Sequence, residues 1–267
     1  MITNNLLMVV NMKKRILLFI LFLPFFNMAM AFDHGHHQLN KILQTHLKQE
    51  GQQTYFNYSK LKESPALLNN YLDEISSVTE KEYAQFNKDQ KLSFLINTYN
   101  AFTIKLIINH YPLKSIKDLG GLFSSPWKKE FIPLWGKKVS LDFIEHKTIR
   151  KNFKEARIHF AVNCASIGCP SLYKEAFIAE KLNQQLDQAT IHFLSNKSKN
   201  KINPALEEIQ LSKIFKWYGG DFEKYDGSVK NFILKYLNFS EDQKKHIRSE
   251  KVDVEFTEYD WNLNEWK

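Results

Sequence analysis

The sequence predicts an α+β fold, a helix-rich single domain around a small mixed sheet that follows a cleaved signal peptide. Three observations carry this. Apolar residues recur at helical spacing through most of the chain. A few short segments instead read as strands or hairpins. The first 31 residues have the pattern of an export leader. Composition agrees: 43% of the 267 residues are hydrophobic and 21 are Phe, enough for a sizeable core. Two cysteines exclude a disulfide-dense scaffold or a four-cysteine zinc site.

In the leader, Lys13, Lys14 and Arg15 precede the apolar run 16–26, and Ala29-Met30-Ala31 is a small-x-small cleavage pattern. The run is about half the roughly 20 residues a spanning helix needs, so cleavage after Ala31 is expected, leaving no stable membrane anchor. Residues 32–267 then form an exported domain, periplasmic or secreted. The formal net charge of +8 falls to +5 once the three leader charges go. The remaining lysines are scattered among acids, as in Glu241-Asp242-Gln243-Lys244-Lys245, which is a solvated surface and not a nucleic-acid face.

Along the domain, Leu39, Ile42, Leu43 and Leu47 open several amphipathic helices between Gln38 and about Asn87. Asp89 to Tyr111 is the most apolar helix, ended by Pro112 and kept from being a membrane span by Asn97, Asn100 and Lys105. Phe131 to Val139 reads as a hairpin turning at Gly136, and Ser140 as the N-cap of a helix to about Arg150. The apolar run in Arg157 to Cys164 reads as a central strand. Helices are expected at Ala179–Asn196, Gly227–Asn238 and Ser240–Ser249, and short strands at Glu208–Leu211 and Val252–Phe256.

Several phrases stand together in one order: Phe32-Asp33-His34, Asn97-Thr98-Tyr99-Asn100-Ala101, Ser140 to His146 (Ser-Leu-Asp-Phe-Ile-Glu-His), and Arg157 to Pro170 with its Asn163-Cys164-Ala165-Ser166-Ile167-Gly168-Cys169-Pro170. Ser212 to Tyr218, Asp221-Phe222 and Tyr259 to Asn264 follow. In these the chain resembles the domain-of-unknown-function 547 family (DUF547) in its exported bacterial form, over essentially all of residues 32–267. Plant relatives have cysteine at the position of Cys164 but serine at that of Cys169. The resemblance therefore implies that the first cysteine matters to the family and that a bridge between the two does not.

Read for chemistry, Cys164 is the first candidate nucleophile. It leaves the expected strand into the small-residue loop 165–168, where backbone N–H groups can converge on a thiolate or an oxyanion. The alternatives are an inert thiol or a Cys164–Cys169 disulfide, which an oxidising compartment permits. His159 is set aside as its base, because on a strand an offset of five puts it about 16 Å away on the opposite face. His146 is the better placed base, with Glu145 about 100° round the helix from it and free to meet His159 or Arg150. Asn97 and Asn100, i and i+3 on one helix face, either pin a neighbouring loop or orient a catalytic group. The aromatic cluster Phe215, Trp217, Tyr218, Phe222 and Trp261 reads as core, and Asp221 and Asp260 as acceptors for backbone or Arg.

Cleavage would also leave Phe32-Asp33-His34 as a free terminus with histidine third. The amine, two backbone amides and the His34 imidazole can wrap a square-planar Cu(II) or Ni(II), assisted by His36 and His37; otherwise these histidines pack the first helix. The expected function is a thiol-dependent acyl or peptidyl hydrolase or transferase acting on an unidentified small-molecule or peptide substrate. The alternative is a non-catalytic binding or assembly module.

Overall fold

The amphipathic stretch after Gly35 folds as α1 (His37–His46), which buries Leu39, Ile42 and Leu43. The computed structural model describes residues 31–121, 124–203, 208–249 and 251–267, so residues 1–30 of the expected leader lie outside the described residues. An antiparallel hairpin of β1 (Leu47–Glu50) and β2 (Gln53–Phe56) follows, turning at Gly51 with φ +57°. The sequence reading had only helices here. Helices α2 (Tyr58–Glu63), α3 (Ala66–Ser77) and α4 (Glu80–Gln85) then lead to the central helix α5 (Lys88–His110). Asn87 and Gln90 form a reciprocal capping box at its start, and it buries almost every side chain from Leu92 to Ile108.

The hairpin of β3 (Ile132–Leu134) and β4 (Lys137–Val139) turns through Trp135 and Gly136 at φ +53° and +75°, the two left-handed residues a tight hairpin turn needs. Ser140 Oγ accepts the Phe143 N–H at 3.1 Å and opens the next helix. Its middle, Phe143–Ile149, is wound as a π-helix before α6 (Arg150–Asn152) completes it. Such wide turns re-aim side chains, and here they carry Glu145 and His146.

Arg157 to Cys164 is not a strand. Ala156–Phe160 forms a 3-10 helix, started by Glu155 accepting the Arg157 N–H at 3.1 Å, and the chain then threads the core as an irregular segment. The apolar content is as high as a buried strand's, but its backbone finds partners in side chains. Asn100 donates to the Ala161 carbonyl at 2.9 Å and accepts the Asn163 N–H at 2.8 Å. One buried amide thus does for this segment what a neighbouring strand would have done.

Beyond it come α7 (Leu182–Leu194), the parallel pair β5 (Glu208–Leu211) and β6 (Asp253–Phe256), α8 (Lys213–Trp217), α9 (Gly219–Asp226), α10 (Val229–Tyr236) and α11 (Glu241–Arg248). Helices α8 and α9 were not anticipated. The fold class is α+β, with the described strands gathered in three two-stranded pieces. One hydrophobic cluster surrounds α5; a second is rich in Phe, stacking Phe160, Phe193, Phe215, Phe222 and Phe232. Among the described residues, no helix is long and apolar enough to cross a membrane.

The C-terminal tail ties these parts together. Asn264 donates its N–H to the Ala165 carbonyl and accepts from Phe56 N–H and the Tyr58 hydroxyl, while the Trp266 indole donates to the His46 carbonyl. Residues at the two ends of the unit Phe32–Lys267 therefore brace the loop that carries Cys164.

Candidate active site

A cleft of about 310 Å³ opens where the two hydrophobic clusters approach, with Tyr99, Trp127 and Val162 on one side and Ile214, Tyr218 and Tyr259 on the other. Cys164, Cys169, Glu145, His146 and His159 all line it.

Cys164 is half-buried and its sulfur sits among donors. Ser166 Oγ lies at 3.0 Å, Tyr259 Oη at 3.2 Å and Cys169 Sγ at 2.6 Å. Burial opposes ionisation, but hydrogen bonds from Cys169, Ser166 and Tyr259 outweigh it together and bring the Cys164 thiol down to about 7. Burial, with the neighbouring Cys164 charge, pushes the Cys169 thiol well up. The natural assignment is a Cys164 thiolate with a protonated Cys169 donating to it. Both cysteines are free.

The loop is held rigidly. Asn163 accepts the Ala165 N–H and donates to the Pro170 carbonyl, closing the loop on itself. Ile167 and Gly168 donate to the Asn262 and Asp260 carbonyls. A Cβ at Gly168 would lie 2.9 Å from the Asp260 backbone, so only glycine permits this approach. Ala165 takes φ +60°, a strained conformation of the kind found at sites. Beneath, the Lys199 ammonium donates to the Cys169 carbonyl and to Gln53 Oε1; burial lowers its pKa to about 8.

This wiring corrects the expectation of a backbone oxyanion hole. The N–H groups of Cys164, Ala165 and Cys169 are engaged by Cys169 Sγ, Asn163 Oδ1 and the Ser166 carbonyl, and those of Ile167 and Gly168 by the Asn262 and Asp260 carbonyls of the tail. That of Ser166 serves the Cys164 sulfur. The donors facing the sulfur as hydroxyls are Ser166 and Tyr259, 3.2 Å from each other.

His159 enters the site because the strand does not exist. Its Nε2 lies 2.9 Å from Asp221 Oδ2, and Arg150 grips the same carboxylate through Nε at 2.5 Å and Nη2 at 3.0 Å. Burial works against the Asp221 charge, yet its bonds to His159 and Arg150 hold its pKa far below the usual carboxylate range. An ionised carboxylate only accepts, so Nε2 carries the proton. Burial lowers the His159 pKa, so the ring is neutral and Nδ1 holds a lone pair. That Nδ1 is buried without a partner. The ring stacks on Tyr218 with centroids 3.8 Å apart.

His146 differs. Arg150 donates to its Nδ1 at 2.9 Å, which occupies the basic nitrogen and leaves Nε2 as the N–H, 3.8 Å from Asp142 Oδ1. Glu145 faces Tyr218 and hydrogen-bonds with it; burial, then the Glu145 charge and that bond, drive the phenol's pKa far up. Glu145 Oε1 has no partner. Asn97 and Asn100 spend both halves of their amides on backbone, Asn97 on the N–H and carbonyl of Phe177. Phe215 and Phe222 are core, but Trp217, Tyr218 and Trp261 wall the cleft, and Trp217 is 46% exposed. Asp260 accepts the Asn262 N–H. Ser166, Tyr259 and Lys199 were missed: single hydroxyls and a lysine carry no spacing signal.

The N-terminal histidines lie elsewhere. His34 packs against Phe86 at 4.4 Å between centroids, His36 is fully buried with Nδ1 2.6 Å from the Tyr71 hydroxyl, and His37 pairs with Asp33. Among the described residues, no group of three or more His, Cys, Asp or Glu is placed to hold a metal.

The fold is that of an α+β protein with a cleft that gathers Cys164, Cys169, Glu145, His146 and His159. Residues 83–194 match the family model described as a protein of unknown function, DUF547. The match includes Glu145, His146, His159, Cys164 and Cys169, and stops short of Asp221 and Tyr259. No curated protein and no solved structure matches the chain.

Proposed function

We propose that this protein is a thiol-dependent enzyme of the acyl- or peptidyl-transfer class, with Cys164 as nucleophile and His159 as base. The observation that carries this is a cleft holding both an acidified thiol and an Asp-anchored neutral imidazole with a free lone pair. Cys164 attacks the acyl carbonyl, and the Ser166 and Tyr259 hydroxyls move from sulfur to the developing oxyanion. A thiolate or phenolate leaving group departs unprotonated; His159 Nδ1, with the ring held by Asp221, then takes a proton from the water or amine that attacks the thioester, Cys164 leaves as thiolate, and the proton passes to solvent. No hydrogen bond joins His159 to Cys164 in the free protein, so the two meet through the substrate. His146 is a positioning group for Arg150. The leader supports the same reading of an exported protein, periplasmic or secreted.

The second reading, a binding or assembly module with a Cys164–Cys169 bridge, rests on the 2.6 Å approach of the sulfurs. One experiment addresses both. The mature chain is incubated with p-nitrophenyl acetate, quenched in acid and analysed by non-reducing mass spectrometry. An acetyl group on Cys164, with its turnover slowed about 100-fold in His159→Ala and little changed in His146→Ala, supports the enzyme. A bridged protein that neither acylates nor labels with iodoacetamide overturns it.

A further inference from the structure

The cleft differs in charge from the chain that forms it. The full chain carries a net +8, yet the lining contains two carboxylates, Asp142 and Glu145, and no Lys or Arg. Six Tyr and Trp rings supply much of the remaining wall, with Tyr259 4.5 Å from Trp261 and Trp261 5.9 Å from Trp217 between ring centroids. Aromatic faces joined to carboxylates are the chemistry that receives a positively charged amine.

Glu145 is the focus. Its side chain is only 6% exposed, it lines the cleft, and Oε1 has no hydrogen-bond partner. A buried anion left short of a donor is costly, and such a group at a cleft wall marks where a ligand's donor completes the set. Of the nearby cations, Arg150 is bidentate to Asp221 and lies 5.0 Å above the Tyr218 ring, Lys117 lies 5.0 Å over the Trp261 ring, and Lys199 is engaged beneath the loop; His146 Nδ1 stands 3.9 Å from Glu145 Oε1 but accepts from Arg150. Tyr218 hydrogen-bonds with the carboxylate and leaves Oε1 open, and His159 and Tyr99 complete the surroundings.

We infer that the site selects acyl donors bearing a free ammonium group, an aminoacyl or peptidyl unit with an unblocked amine, and that Glu145 receives that ammonium. This rests on the acyl-transfer reading of Cys164 and names its substrate class. Glu145 would hold the amine by a charge-assisted hydrogen bond, and an acetylated amine would leave the buried carboxylate unsatisfied.

The test compares acylation of Cys164 by an L-alanyl thioester and its N-acetyl form. A second pair, an Nα-acetyl-lysyl thioester and its doubly acetylated form, places the charge further from the carbonyl. The expected result is faster acylation by about 30-fold or more for the free amine of at least one pair, falling below about 3-fold in Glu145→Gln. Equal rates within both pairs, or a preference that survives Glu145→Gln, overturn the inference while leaving the enzyme reading intact. No adduct from any donor, with Cys164 inert to iodoacetamide, overturns the enzyme reading itself. If Glu145→Gln does not fold, protection of wild-type Cys164 from iodoacetamide by alaninamide but not by N-acetylalaninamide reads the same selectivity; equal protection refutes it.

Discussion

Replacing Tyr259 by Phe removes a single oxygen from the thiol's surroundings and leaves the ring against Trp217 and Trp261. The Cys164 thiol stands at about 7 where an ordinary one is near 9.0. Two units correspond to roughly 3 kcal/mol in favour of the thiolate. Because burial opposes the charge, the donors together supply more than that net gain, and a hydrogen bond to a charged group is worth about 1.5–3 kcal/mol. Losing the one from Tyr259, 3.2 Å away, should therefore return the pKa by about one unit, to near 8. At pH 7 the thiolate fraction then falls from about a half to about a tenth, and the alkylation rate about five-fold. The assay is the rate of iodoacetamide labelling of reduced protein from pH 5 to 10, followed by intact mass. A midpoint that stays at 7 in Tyr259→Phe, or begins near 9 in the wild type, would refute the account of how this thiol is activated.

Two further perturbations test the scaffold. Asn100→Ala strands the Ala161 carbonyl and Asn163 N–H in the core and should cost about 2–5 kcal/mol in urea unfolding, while sharply slowing Cys164 acylation as its loop loosens. His36 is fully buried and burial lowers its pKa to about 3, below the unfolded value near 6.5. The unfolded chain therefore binds a proton that the fold refuses. Stability is fully present above pH 6.5 and is lost by about 1.4 kcal/mol per unit as pH falls from there toward 3. His36→Asn suits the left-handed φ of +49° and should make melting measured between pH 7.5 and 4.5 less acid-sensitive; an unchanged slope would refute the assignment.

Local signals in the sequence translated well where side chains and backbone interact within a few residues. The Ser140 cap and the hairpin turn at Gly136 are of this kind, as is the apolar helix through Asn97 and Asn100. The failure at Arg157–Cys164 has a specific cause. An apolar run signals burial, and periodicity alone does not say whether strands or side-chain amides will satisfy its backbone. Asn100, some sixty positions earlier, decides that. Setting His159 aside as a base rested on strand geometry, which the segment does not have. The pairing of His159 with Asp221 and of Cys164 with Tyr259 spans 62 and 95 positions, and only the packed fold brings them together.

Cys169 separates the two functional readings, because the contact that acidifies its neighbour also places a bridge within reach. If the protein acts through a free Cys164, Cys169 is a donor, and serine, which still offers an O–H, should replace it with little cost. The pKa of Cys164 should move by less than about one unit, and acylation should persist. Cys169→Ser should also become insensitive to diamide, since no partner sulfur remains. If the protein is instead a bridged module, the bond closes a six-residue loop, and chain entropy assigns it about 2 kcal/mol. Cys169→Ser would then lose that stability in urea unfolding without reductant, and dithiothreitol would lower the wild type to match it. Equal unfolding midpoints with and without dithiothreitol, in a protein that still acylates as Cys169→Ser, exclude the bridged module. A reductant-sensitive wild type whose serine variant is inert excludes the enzyme, because a nucleophile freed from its bridge should have become more reactive.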